Sequence, residues 1–176
     1  MTVFAFDIDE TSRDITVVID RVWFGGSANT IHNAPKYIIS ENKNFVFFNL
    51  GRGFDETQRQ ILSSMLVEYV ANPSQHNLKL RKDQDIFVLD VKNARVLFLE
   101  YDEEDKSVYW TDLQTNFFTT GIYSDTVEYL RHFDNHSIIE AIAKIDDLWN
   151  VDFGIDIFTV NGGEENHLNH ELRKRS

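Results

Sequence analysis

The chain has 176 residues, the size of one domain, and its 42% hydrophobic and 13% aromatic content is enough to bury a core. Its 29 acidic against 17 basic side chains give a formal charge of −12, which opposes the phosphate attraction behind nucleic-acid binding and excludes DNA and RNA as expected partners. With no cysteine there is no disulfide, no thiol nucleophile and no Cys-ligated metal, and a cytoplasmic setting fits.

The start, MTVFAFDIDE, lacks the basic and apolar regions of a signal peptide, and no run approaches the roughly eighteen apolar residues of a membrane span, so neither export nor membrane insertion is expected. Thr2 to Ile8 reads as a strand, the polar cluster Asp9 to Asp14 as a turn, and Ile15 to Ile19 as the returning strand. Gly25 to Asn29 reads as a loop. Tyr37-Ile38-Ile39 and Phe45 to Phe48, parted by Glu41 to Asn44, form a second hairpin. Between Phe54 and Val70 the period changes: Ile61, Leu62, Met65, Leu66, Tyr69 and Val70 make the stripe of an amphipathic helix, with Asp55 as N-cap and Asn72-Pro73 as its end.

Ile86 to Leu89, Val96 to Leu99 and Ser107 to Trp110 predict three strands of a meander, with Tyr101 to Lys106 as an acidic turn. Phe117 to Gly121 leads into a helix over Ser124 to Phe133. Ser137 caps another over Ile138 to Trp149, whose Ile138, Ile139, Ile142, Ile145 and Leu148-Trp149 share a face. Ile155 to Val160 is the last predicted strand, and residues 161–176 read as a polar, mobile tail after a domain of residues 1–160. Runs of strands broken by paired helices argue against a doubly wound sheet. Two antiparallel sheets between helical layers satisfy the pattern, because strands as apolar as Phe45 to Phe48 need both faces covered.

Several spacings bear on chemistry. Thr2 follows Met1, and a small second residue favours Met removal, which would leave Thr2 with both a hydroxyl and an α-amine. Asp20 closes the run Val17-Val18-Ile19, and Lys36 stands sixteen residues on; both also suit ordinary turns. Gly51 and Gly53 follow the apolar Phe47-Phe48, where they offer backbone N–H groups or simply permit a strand-to-helix turn. Thr119-Thr120-Gly121 precedes a helix, and Asp146-Asp147 lies near the end of the next.

In order and spacing these residues resemble the catalytic subunits of proteasomes, and the bacterial two-component proteasome-like peptidase in particular, over roughly Thr2 to Val160. The resemblance implies an α+β, four-layer αββα sandwich of the Ntn-hydrolase type. It gives Thr2 the part of N-terminal nucleophile, with its own α-amine as base. Asp20 and Lys36 become the ion pair beside it, the Gly51 N–H the oxyanion donor, Thr120 the supporting Ser, and Asp147 or Asp146 the supporting Asp. A homo-oligomer is implied, as a ring of six or seven or an open helical array, taking polypeptide substrate from an ATP-driven unfoldase. The sequence departs from the family pattern in a longer first turn, in lacking a Gly-Asp-type motif, and at Ile122, where the family has a second Gly. The rival expectation is an inactive descendant that keeps the sandwich as a structural or protein-binding module. No cofactor and no metal are expected. His132 and His136 straddle a helix end, His167 and His170 lie in the tail, and Asp102 to Asp105 lacks the ligand rhythm of a calcium loop.

Overall fold

The structure is a computed structural model, which describes residues 3–21, 36–50, 59–60, 68–73, 85–121, 123–149, 154–163 and 166–173. Strand β1 (Val3–Ile8) turns into β2 (Ile15–Asp20). Five strands follow as a meander: β3 (Tyr37–Ile39), β4 (Phe45–Asn49), β5 (Ile86–Asp90), β6 (Arg95–Asp102) and β7 (Ser107–Asp112). Then come β8 (Phe117–Gly121), α1 (Ser124–His132), α2 (Ile138–Trp149), β9 (Ile155–Val160) and β10 (Leu168–Arg173). Of the helix predicted over 54–70, residues 59–60 and 68–70 are described and helical, and the helix runs on to 71; its other residues and the loop at 25–29 lie outside the described residues.

The protein is α+β, with two antiparallel five-stranded sheets and few helices among the described residues. It divides into two compact units, Met1–Asn33 with Thr115–Ser176, and Ala34–Gln114. The first holds the sheet ordered β10-β9-β2-β1-β8. On one face Val3, Ala5, Val18, Ile155 and Ile157 pack with Val127 and Leu130 of α1 and Ile138, Ala141, Ile142 and Ile145 of α2. Alternation sends Phe4, Phe6, Val17, Ile19 and Phe158 to the other face, where they too are buried. Arg131 ties α1 to β1 through Asp7, Nε to Oδ2 at 2.8 Å. That hydrogen bond raises the Arg131 pKa above its ordinary value.

The second unit holds the sheet β3-β4-β5-β6-β7. Ile38, Phe47, Ile86, Val88 and Leu97 share a face with Tyr69 of the helical segment. The Tyr69 ring lies 5.8 Å from Phe47 and meets Trp110 edge-on, and burial pushes its hydroxyl pKa well above the usual range. Val46, Phe48, Phe87, Leu89 and Val96 are buried on the opposite face, so this sheet has no open side at its centre.

Short acidic turns set the hairpins. Asp9 Oδ1 accepts the N–H groups of Thr11 and Ser12 at 2.9 and 2.8 Å, and these bonds hold its carboxyl below the usual range. Asp102 Oδ1 accepts the N–H groups of Glu104 and Asp105 at 2.9 and 3.2 Å, which makes the acidic run the predicted hairpin tip. Within the segment expected to be a mobile tail, Leu168–Arg173 adds a strand to the first sheet in register with β9, Leu168 opposite Val160 and Arg173 opposite Ile155. Leu148, expected on the apolar face of α2, is 60% exposed.

Candidate functional site

The start of β1 is where the first unit gathers its site candidates. Central strands β1 and β2 form because β1 is rich in β-branched and aromatic residues and β2 is almost wholly β-branched, and their register sets Phe4 opposite Ile19. That register brings Asp20, the last residue of β2, beside the first residue of β1. Asp20 is fully buried, and its Oδ1 accepts the Val3 N–H at 3.0 Å. A carboxylate withdrawn from water is stable only with donors around it, so this bond also fixes the backbone next to residue 2.

On the other side of β1, β8 sets Thr120 opposite Phe4 and Gly121 opposite Val3. Thr120 is half-buried, and Thr119 Oγ1 donates to the Phe4 carbonyl at 3.3 Å. Asp20, Thr120 and the backbone at Val3 therefore lie at the same end of three adjacent strands, with Thr120 on the Phe4 face and Asp20 on the Val3 face. Thr2 itself lies outside the described residues, as does Ile122. Asp147 on α2 is exposed, whereas its neighbour Asp146 is buried.

In the second unit Lys36, just ahead of β3, is 2% exposed. Its carbonyl accepts the Asn49 N–H at 2.9 Å, which anchors it to the end of β4. Asn49 is buried, and Leu50 N–H then bonds Asp85 O at 3.0 Å. Lys36 and the residues leading to Gly51 therefore share one end of this sheet, although Gly51 and Gly53 lie outside the described residues. A buried lysine marks a position where the fold accepts desolvation of a long cationic side chain, which ordinary turn lysines avoid.

One buried group escaped the sequence reading. Asp156, 1% exposed on β9, takes His170 Nε2 on Oδ1 at 2.8 Å and has Arg21 Nε 3.8 Å from Oδ2. Its place in Ile155-Asp156-Ile157 reads as the polar half of an alternation; only the later return of β10 brings His170 onto it. Two of the other histidines considered have partners that account for their place in the fold. His132 packs edge-on against Phe117, and His136 Nδ1 lies 3.4 Å from Asp134. Among the described residues no group of three or more His, Asp or Glu is placed to hold a metal.

No family model and no curated protein matches the sequence. Among solved structures the fold is similar to that of Anbu from Hyphomicrobium sp. strain MC1, an ancestral proteasome-like Ntn-hydrolase protein. The TM-score is 0.51 at 12% identity, covering 97% of this chain and 87% of that chain. At that identity the likeness establishes an Anbu-like, proteasome-like fold and nothing finer.

Proposed function

We propose that the protein is a proteasome-like N-terminal-threonine peptidase subunit. The observation that carries this reading is the buried Asp20 carboxylate held on the N–H of Val3, the residue after Thr2, within an Anbu-like fold. On this reading the two sheets are the inner layers of an αββα sandwich. Thr2, exposed as residue one by removal of Met1, attacks the scissile carbonyl through Oγ. Its α-amine, titrating near pH 8, takes the hydroxyl proton and passes it to the leaving amine; water then hydrolyses the Thr2 ester. Lys36 as an ammonium lowers the hydroxyl pKa, Asp20 balances that charge, and the Gly51 N–H donates to the oxyanion. Thr120 and either Asp147 or Asp146 support the nucleophile. Subunits assemble as a ring or helical array in the cytoplasm and receive unfolded polypeptide from an ATP-driven unfoldase.

Intact mass fixes whether Thr2 is residue one, and a peptide vinyl sulfone or boronate then reads the nucleophile. Labelling and peptide hydrolysis are expected in the wild type and absent in Thr2→Ala and Lys36→Ala, with circular dichroism unchanged in Thr2→Ala. Wild-type protein with an exposed Thr2 that takes up no probe and cleaves no fluorogenic peptide, even with a matching unfoldase, is an inactive proteasome-like module instead.

A further inference from the structure

The outer edge of β10 is the feature left unexplained. Among the described residues β10 is the outermost strand of its sheet, bonded on one side to β9, and five of its six residues are exposed. An open strand of this length presents a row of N–H and C=O groups to any second strand, a liability that folds usually blunt with Pro, Lys or a bulge. Residues Leu168–Arg173 contain neither Pro nor Lys, and their register with β9 is continuous. The strand is also held firmly. His170 stacks on Phe158 at 4.6 Å and sits on the buried Asp156, so its ring leans over β9 and away from the open edge.

We propose that this edge recognises a second copy of the chain, two β10 strands pairing antiparallel to join two five-stranded sheets into one of ten. Charge favours that occupant. The chain as a whole carries −12, so copies repel over most of their surface, but Leu168–Arg173 carries one Glu and one Arg and is locally neutral. In sequence the segment is acidic at its start, Glu164-Glu165, and basic at its end, Arg173-Lys174-Arg175, and an antiparallel copy presents the reverse order.

Geometry selects the register. Two strands related by a two-fold axis normal to the sheet set residues of the same face opposite each other, so the axis must pass through a residue position. With the axis at His170, Leu168 stands opposite the partner's Leu172, and Asn169 opposite the partner's Glu171, each twice. Five positions of the strand are then paired, apolar against apolar and amide against carboxylate. An axis at Glu171 places two carboxylates opposite each other; one at Asn169 or Leu172 pairs only three positions of the strand. Leu172, 37% exposed, is the apolar side chain that gains cover.

The absence of native cysteine makes the test direct. Chains carrying Leu168→Cys and chains carrying Leu172→Cys are mixed and mildly oxidised. A disulfide-linked heterodimer is expected, since directly opposed residues lie about 4.5–5.5 Å apart at Cα, within disulfide reach. Either variant alone should stay unlinked. Leu172→Lys should weaken self-association at least tenfold in sedimentation equilibrium, with an unchanged circular dichroism spectrum because the substitution lies on an exposed edge. A wild type that is monomeric at about 100 µM overturns the proposal; so does an oligomer that forms no such crosslink or that ignores Leu172→Lys. The pairing does not depend on the peptidase reading, and Thr2→Ala in the mixed chains should leave the crosslink intact.

Discussion

Asp20 does two jobs that one substitution removes and another separates. Its Oδ1 is an acceptor for the buried backbone amide of Val3, the residue after the proposed nucleophile, and its carboxyl is proposed to balance the charge of Lys36. Asp20→Ala orphans the Val3 N–H and should cost about 1–3 kcal/mol of stability together with probe labelling. Asp20→Asn keeps an acceptor oxygen and should hold most of that stability while still losing labelling. Urea unfolding and vinyl-sulfone uptake measured on both variants decide the matter: if the Asp20→Asn protein labels at the wild-type rate, the carboxylate charge has no part in catalysis. The sequence shows Asp20 as a strand-end acid and does not tell it from a turn residue, because its burial comes from pairing with a strand that begins seventeen residues earlier. Asp156 is less legible still, since its partner His170 arrives on an element with no apolar period.

At the level of elements, sequence signals suffice where local chemistry decides. Ser137 reads as a cap, and its Oγ accepts the Glu140 N–H at 3.1 Å, the N-cap to N3 bond of a helix start. Ser137→Ala should therefore lower stability by about 1 kcal/mol, or about 2–4 °C in melting temperature for a chain of this size. Ser137→Asp should restore it; a Ser137→Ala melt equal to wild type would mean that the burial of Ile138, Ile142 and Ile145 alone fixes where α2 begins. Leu148 departs from expectation because the apolar stripe of the sequence extends one turn beyond the part of the helix that meets the sheet. β10 is hidden for a different reason: Leu168-Asn169-His170-Glu171-Leu172-Arg173 buries no face, so its strand state rests on main-chain bonds to β9 and on the His170–Asp156 contact.

At the level of the whole molecule, hairpin neighbours are legible because a turn joins them, while the pairings β1 with β8 and β2 with β9 are not, as they join residues more than a hundred positions apart. Net charge is a whole-chain property that the sequence does give, and it makes a prediction of its own. With 29 acidic and 17 basic groups, folding gathers excess negative charge into a smaller volume and self-repulsion opposes it. Raising NaCl from about 20 to about 200 mM shortens the screening length from roughly 20 to 7 Å, so at pH 8 the melting temperature should rise by about 2–4 °C. Screening also weakens exposed pairs such as Arg173 with Glu171, but these contribute little, and the more sheltered Arg131–Asp7 and Arg95–Asp90 contacts are less affected. At pH 5, close to the isoelectric point of about 4.8, the excess charge is nearly gone and the same salt step should do almost nothing. Melting curves at both pH values separate the two effects: an equal rise at pH 5 would assign the salt effect to something other than net charge, and a fall at pH 8 would mean that ion pairs outweigh self-repulsion.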